Sequence, residues 1–296
     1  MSHSLTQHLR VIEPYPGILA FYDGRVAGQR FAPGANWVDD GALSLGIASY
    51  AIVSGDAALI YDSHVSVAHA EAIKAALAAR GVRRFTVVLS HWHLDHVAGT
   101  AAFAGAEVIA NHRTIAHLTQ AKAGIEAGSL HGDPVICPLI LPDRGFSTEL
   151  RLRVGTRQVV LIQCNIHSDD ATVLWLPEDR LLLAGDTVED CVTYVGEPER
   201  FAEHLRDLDR LAALQPVAVL PNHGSAEVIA RGGYGAAILG ATQDYIRWLQ
   251  RLKTAPELAE TPLRQVIAAG LAAGVLHYFA PYEAVHRQNV ARSLAL

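Results

Sequence analysis

Four side chains that can bind metal lie within six residues of one another, where residues 91–96 read HWHLDH. Residues two apart in an extended segment point the same way, so His91 and His93 can share one metal ion. Asp95 and His96 follow where we expect the chain to turn, and they can face a second ion. Four ligands from one hexapeptide would crowd a single ion, so the spacing favours two. The alternative is a chance histidine cluster on a surface loop, which predicts no matching residues downstream.

Matching residues do occur downstream. His167, Asp186 and His223 each follow a predicted strand by two or three residues. Strands of one sheet can bring their carboxyl ends to one edge, so we expect these three side chains to meet there. Each of them alone has an ordinary explanation, as a capping residue, a turn former or a loop histidine. Their recurrence after three separate strands favours a shared metal site.

The elements that must position these residues alternate between short apolar runs and amphipathic segments. Strands are predicted at 18–22, 47–53, 57–61, 85–89, 107–110, 150–154, 158–164, 172–176, 181–184 and 217–220. Helices are predicted between Ser66 and Gly81, from Thr114, from Pro198 and over 238–252. No linker or charge block divides the chain. We therefore predict one domain over 1–296, built from two similar halves, with a helical C-terminal extension from about 235.

Composition excludes several classes of protein. Half of the 296 residues are hydrophobic and 18% are charged, which is unlike a disordered chain. The net charge of −6 argues against a nucleic-acid partner, because such proteins usually carry a basic face. The first residues lack a cationic start followed by an apolar stretch, and the apolar runs have strand length rather than membrane length. We therefore expect a cytoplasmic protein with no membrane partner.

The hexapeptide and its downstream partners together resemble the metallo-β-lactamase superfamily. The resemblance rests on residues 91–96, on His167, and on the Gly-Asp-Thr and Asn-His-Gly elements around Asp186 and His223. It covers roughly residues 18–224. It implies an α/β fold of the αββα sandwich type, in which two mixed sheets carry helices on their outer faces. It also implies a site for two divalent metal ions along one edge of the sandwich.

Seven side chains supply the ligands that this resemblance implies. The first ion would be held by His91, His93 and His167. The second ion would be held by Asp95, His96 and His223. Asp186 would bridge both ions. Asp62, at the end of a predicted strand, would either support the site from behind or form the turn before the next helix. Imidazole and carboxylate ligands suit Zn²⁺ best, with Fe and Mn as alternatives.

Two departures from better-known members bear on the activity. The bridging position is Asp186 rather than the cysteine of periplasmic β-lactamases, and His93 replaces the glutamate of the family's diiron reductases. The pattern favours a hydrolase that attacks a carbonyl ester, a lactone or a thioester with metal-bound hydroxide. The alternatives are an iron-dependent oxidoreductase and a β-lactam hydrolase. A non-catalytic metal-binding protein is a third alternative, and the presence of all seven ligands argues against it.

Several residues have expected roles beyond metal binding, and most of these roles have an alternative. Asp95 is expected to orient the attacking water and carry its proton. Tyr194 would either donate a hydrogen bond to the oxyanion or pack against a helix. Residues 23–46, with Phe31 and Trp37, would either lean over the metals or cover the core. A polar and aromatic cluster near the C-terminus comprises His277, Tyr278, Phe279 and Tyr282. These residues would either pack internally or form a lid or dimer contact. We expect a small-molecule substrate, and a homodimer is one option for the assembly.

Overall fold

Two β-sheets pack face to face, and helices cover the outer face of each. A computed structural model of the chain describes residues 5–296; residues 1–4, which belong to the predicted domain, lie outside the described part. Each sheet contains both antiparallel and parallel neighbours. The predicted αββα arrangement is confirmed.

The first sheet has seven strands in chain order. They are β1 (Arg10–Tyr15), β2 (Ile18–Asp23), β3 (Ile47–Ser54), β4 (Ala57–Tyr61), β5 (Arg84–Val88), β6 (Glu107–Asn111) and β7 (Arg144–Phe146). β1 to β4 pair antiparallel, whereas β4 to β7 pair parallel. The carboxyl ends of β4 and β5 therefore lie side by side, and residues 91–96 begin just beyond them.

The second sheet has five strands in the order β12-β11-β10-β9-β8. They are β8 (Glu149–Val154), β9 (Arg157–Gln163), β10 (Thr172–Leu176), β11 (Leu181–Gly185) and β12 (Ala218–Pro221). Only β11 and β12 pair parallel, so both end at the same edge. Asp186 follows β11 directly and His223 follows β12 by two residues.

Nine α-helices connect or cover the sheets within residues 5–296. They are α1 (Val67–Ala79), α2 (Leu94–Val97), α3 (His112–Glu126), α4 (Phe201–Ala213), α5 (Ala226–Ala230), α6 (Ala237–Arg251), α7 (Leu263–Val266), α8 (Ala268–Ala272) and α9 (Tyr282–Leu294). A π-helical turn spans Val38–Leu43, and 3₁₀ turns span Thr100–Phe103, Pro198–Arg200 and Pro256–Glu260. No helix in this described range is both long enough and apolar enough to cross a membrane.

Alternating side chains of the strands fill two different interfaces. In β2, Ile18, Ala20 and Tyr22 pack between the sheets, whereas Leu19 and Phe21 pack in the cluster that contains α1 and α3. The outer face of the second sheet is covered by α4, α6 and α9. Strands buried on both faces must be apolar throughout, which explains why they stand out as apolar runs in the sequence.

The ten predicted strands all form, within one residue of their predicted bounds. Helix α1 begins after Ser66, whose hydroxyl accepts a hydrogen bond from the His69 N–H, and it ends before Gly81, whose φ is +88°. The helix predicted from Thr114 starts two residues earlier, because the Asn111 side chain caps it. Strands β1 and β7 were not predicted.

Candidate metal centre

The seven predicted ligands converge at the edge where the parallel strands end. His91 and His93 lie in the segment after β5, and Asp95 and His96 lie in α2. This short helix replaces the turn expected there. Successive helical residues diverge by about 100°, so Asp95 and His96 leave α2 in different directions. The centroid of the His96 ring lies 4.2 Å from that of His91.

One group of ligands consists of His91, His93 and His167 around a single point. His93 Nδ1 lies 2.9 Å from His91 Nε2 and 2.9 Å from His167 Nε2. Asp186 Oδ2 lies 3.7 Å from both of these Nε2 atoms. Three imidazole nitrogens and one carboxylate oxygen therefore face one another, as the ligands of a single cation would.

A second group lies beside the first and shares the same carboxylate. Asp95 Oδ2 lies 3.2 Å from His223 Nε2 and 3.5 Å from His96 Nε2. Asp186 Oδ2 lies 3.0 Å from His96 Nε2 and 3.4 Å from His223 Nε2. Asp186 thus lies between the two groups, where a bridging ligand belongs.

The hydrogen bonds of Nδ1 in His96 and His223 establish that the Nε2 atoms of these rings face the site. His223 Nδ1 lies 2.8 Å from the Gly46 carbonyl oxygen, which only accepts, so this nitrogen carries a proton. His96 Nδ1 lies 2.9 Å from Asp62 Oδ2 and donates in the same way. In the neutral rings, both Nε2 lone pairs then face carboxylate oxygens. Such a contact requires a cation between the two electron-rich atoms, either a proton or a metal ion.

Asp186 carries a further sign that the site is built for cations. The residue is 4% exposed, and its Oδ1 atom has no hydrogen-bond partner among residues 5–296. A buried carboxylate oxygen without a partner is costly, and a metal ligand would remove that cost. The donor set therefore fits two divalent ions with Asp186 between them.

The pKa values of the five histidines at the site are shifted in two opposite directions. Burial, together with neighbouring imidazoles, lowers the pKa of His91 well below its ordinary value. Burial lowers the pKa of His93 to about 4 and that of His167 to about 3. These three rings are therefore neutral at pH 7, which is the form that binds metal.

His96 and His223 behave in the opposite way. Burial would lower their pKa values, but the carboxylates of Asp186 and Asp95 raise both well above the ordinary range. Without a metal these two rings hold protons. The same carboxylates would attract a divalent ion.

Asp62 supports the site from behind. Its Oδ1 accepts from the Ser90 N–H at 2.6 Å, and its Oδ2 accepts from Asn222 Nδ2 at 2.6 Å and from His96. These bonds join the segments after β4, β5 and β12. Of the two interpretations of Asp62, the structure favours a supporting role, because Ser66 caps the following helix.

Tyr194 lies at the cavity next to the first group of ligands. Its ring centroid is 5.6 Å from that of His167 and 6.3 Å from that of His93. Burial raises the pKa of its phenol, so the hydroxyl remains a hydrogen-bond donor. The Arg292 guanidinium lies 5.0 Å from the ring centroid. The ring both lines the cavity and packs against α9.

One acidic residue at the site was not identified from the sequence. Glu189 is 2% exposed and borders the cavity, with its Oε1 3.7 Å from His167 Nδ1. The Tyr194 N–H donates to Oε1 at 3.1 Å. Burial, and then the charge of Asp186, raises the pKa of Glu189 to about 8. The only sequence signal is its position three residues after Asp186.

The ligands open into a cavity of about 280 Å³. Its other walls come from the 23–46 segment and from the start of α9, namely Asp40, Gly41, Leu45, Pro281, Ala284, Val285 and Gln288. Trp37 lies at an adjoining opening beside His93 and Asp95. Phe31 and Trp37 both pack against the cluster around Val38, but Phe31 lines neither of these two openings. Both interpretations of the 23–46 segment therefore hold, for different parts of it.

A family model matches most of the chain. The model describes the metallo-beta-lactamase superfamily and matches residues 45–253. Among solved structures, DIM-1 metallo-beta-lactamase exposed to ceftazidime aligns with a TM-score of 0.60 at 20% identity, over 81% of this chain and 97% of that one. A metallo-beta-lactamase from Pontibacter korlensis aligns with a TM-score of 0.62 at 16% identity, over 81% and 99% of the two chains. At these identities the likeness shows the fold.

Curated relatives match over a shorter length. A beta-lactamase-like protein 2 homolog of Drosophila melanogaster is 24% identical over 142 residues, which are 47% of this chain and 44% of the relative. The Caenorhabditis elegans protein of the same name is 27% identical over 157 residues, which are 52% and 46%. The chain therefore spans less than half the length of these relatives.

Proposed function

The chain belongs to the metallo-β-lactamase superfamily, and from this premise we propose that it is a dinuclear, zinc-dependent hydrolase of a carbonyl ester, lactone or thioester. The observation that carries the proposal is the position of Asp186 Oδ2 between two groups of three donors, 3.0–3.7 Å from four imidazole nitrogens. Imidazole and carboxylate donors without a thiolate suit Zn²⁺ best.

Two divalent ions at this site would lower the pKa of a shared water and polarise a carbonyl oxygen. The residues of the chain hold and orient the reactants. The side chain of Asp95 is 17% exposed, so it reaches the cavity. Burial would raise its pKa, but the imidazoles of His96 and His223 lower it well below the ordinary value. An ionised Asp95 would accept a hydrogen bond from that water, orient it and take up its proton.

Tyr194 serves as an auxiliary donor in this proposal. Its phenol stays protonated and borders the same cavity as His93 and His167. A hydrogen bond from this hydroxyl would stabilise the negative charge that develops on the carbonyl oxygen.

The cavity walls support a small, uncharged acyl substrate. Leu45, Pro281 and Val285 give one side an apolar surface. Among the described residues, neither lysine nor arginine lines the cavity. Away from the ligands, the wall therefore offers no side-chain cation to a free carboxylate or phosphate. This favours neutral esters and lactones over phosphodiesters.

A substrate panel tests the proposal. Zinc-loaded protein is given lactones, simple esters, thioesters, a β-lactam and a phosphodiester, with the Asp95→Asn variant as a control. We expect turnover of neutral esters or lactones by the wild type and a large loss in the variant. Turnover of the β-lactam alone would assign the protein to β-lactam hydrolysis. Activity restored only by iron, with consumption of oxygen, would instead indicate an oxidoreductase.

A further inference from the structure

The loop after β11 carries Asp186. Residues further along this loop contact α9. Tyr282 and Asn289 lie two helical turns apart, on one face of α9. The Asn289 side chain binds this loop twice, since Oδ1 accepts from the Val195 N–H at 2.8 Å and Nδ2 donates to the Thr193 carbonyl at 2.9 Å. Tyr282 Oη donates to Glu189 Oε2 at 3.0 Å. The C-terminal helix thus reaches residues next to the metal ligands.

Glu189 lies behind one of these ligands. When His167 binds a cation through Nε2, its Nδ1 carries the proton and needs an acceptor. Two acceptors are within reach, Thr193 Oγ1 at 3.5 Å and Glu189 Oε1 at 3.7 Å. The Thr193 hydroxyl donates to the Asp186 carbonyl oxygen at 2.5 Å. Cations at the site would favour the ionised form of Glu189. A carboxylate is the stronger acceptor for a ring proton, because the hydrogen bond is charge-assisted.

We propose that Glu189 is a positioning residue for the metal ligand His167, and that α9 holds Glu189 in place through Tyr282. This inference rests on the proposed metal centre, but on no particular substrate. Both Glu189 oxygens already accept hydrogen bonds, one from the Tyr194 N–H and one from Tyr282, so the carboxylate is fixed behind the ring. A carboxylate there orients the imidazole and makes its metal-facing nitrogen more basic.

The test measures zinc affinity by chelator competition in Glu189→Gln, Tyr282→Phe and the double variant. Glu189→Gln keeps the shape and removes the charge. We expect it to bind two ions at saturation, with zinc affinity lowered by about 10–100-fold, as is typical for an outer-shell partner. Tyr282→Phe should lower the affinity by less. The double variant should be no weaker than Glu189→Gln, because Tyr282 acts through Glu189.

A second readout is the visible absorption of the Co²⁺-substituted protein, which reports ligand geometry. Both single variants should change this spectrum. The matched control is Tyr278→Phe, which removes a similar hydrogen bond, from Tyr278 Oη to Glu283 Oε1 at 3.0 Å, near the start of α9. Its zinc affinity and Co²⁺ spectrum should equal those of the wild type. A merely structural role of the C-terminal segment would move thermal unfolding without moving these two quantities.

Three results would overturn the inference. The first is wild-type zinc affinity and an unchanged Co²⁺ spectrum in Glu189→Gln. The second is the loss of one ion from Glu189→Gln at saturation, which would make Glu189 a ligand. The third is unchanged zinc affinity in Tyr282→Phe, a result that decides the role of α9 even if Glu189→Gln fails to fold. A protein that binds two zinc ions but hydrolyses nothing in the panel would contradict only the proposed function.

Discussion

Asp186 is the residue on which both groups of ligands depend. Its Oδ2 atom faces His91, His96, His167 and His223, and its Oδ1 atom has no partner in the described part of the chain. Two cations that share Asp186 as a ligand would repel each other strongly. A carboxylate between them would offset part of that repulsion. The charge of Asp186 should therefore matter more than its shape.

Replacing Asp186 with asparagine separates charge from shape. We expect Asp186→Asn to fold, to lose the second ion and to lose activity by more than about 100-fold, the upper range for an outer-shell partner. Elemental analysis, kinetics and circular dichroism measure the three quantities. Two bound ions together with full activity would show that Asp186 does not bridge.

Tyr194 should contribute less than the ligands. A single donor to an oxyanion is worth about 10²–10³ in rate where it acts without metals. Since two cations would share that charge, we expect Tyr194→Phe to lower kcat by about 10-fold, with a smaller effect on KM. Metal content must be equal in both proteins. An unchanged kcat would leave Tyr194 with its packing role alone.

Metal binding should depend on pH through His96 and His223. Because Asp186 and Asp95 raise the pKa of both rings above the ordinary value of about 6.5, the metal-free site holds protons at pH 7. Zinc must displace these protons, so its affinity should rise between about pH 6 and pH 8. Calorimetry in buffers of different ionisation enthalpy measures the protons released. An affinity that is flat over this range, without proton release, would contradict the assigned protonation.

Elements differ in how well the sequence predicts them. Strands such as β4 and β11 are buried on both faces and appear as unbroken apolar runs. β1 is partly exposed and contains Pro14, and β7 has three residues, so neither gives a clear pattern. α9 buries tyrosine, histidine, asparagine and serine beside its valines, which weakens its apolar periodicity.

The residues of the site also differ in how well the sequence predicts them. The ligands follow from local spacing in residues 91–96 and from their places after strands, both of which are visible in the sequence. Glu189 is different, because its role depends on contacts with His167 and with Tyr282, the latter 93 positions away. No local pattern encodes such a contact. The sequence suggested a lid as one option for the C-terminal cluster, but it did not identify the α9 residues that line the cavity, for the same reason.

The start of α9 should set the size of the acyl group that fits. Val285 lines the cavity, and a phenylalanine there would occupy space near the ligands. We expect Val285→Phe to lower kcat/KM for a hexanoyl ester by about 10-fold relative to an acetyl ester, within the range for steric discrimination in a pocket. Ala291→Phe adds the same ring to an exposed position of α9 and should change neither value. Equal losses for both esters would contradict the size-selecting role.

At the scale of the whole molecule, the site joins the two sheets. His91, His93, Asp95 and His96 follow strands of the first sheet, whereas the other three ligands follow strands of the second. Two bound ions would therefore cross-link the halves of the sandwich at its edge. Because the ions bind the folded chain, they should also stabilise it against unfolding.

Titration of the metal-free protein with zinc decides whether the chain is a dinuclear hydrolase. Bound zinc and hydrolysis of a neutral ester or lactone are followed together as zinc is added. We expect two ions to bind per chain, with most of the hydrolysis appearing as the second site fills, because Asp186 connects both groups of ligands. The dinuclear assignment would be contradicted by a single bound ion whose number does not increase with added zinc. The hydrolase assignment would be contradicted by two bound zinc ions without hydrolysis, if iron restores an oxygen-consuming activity.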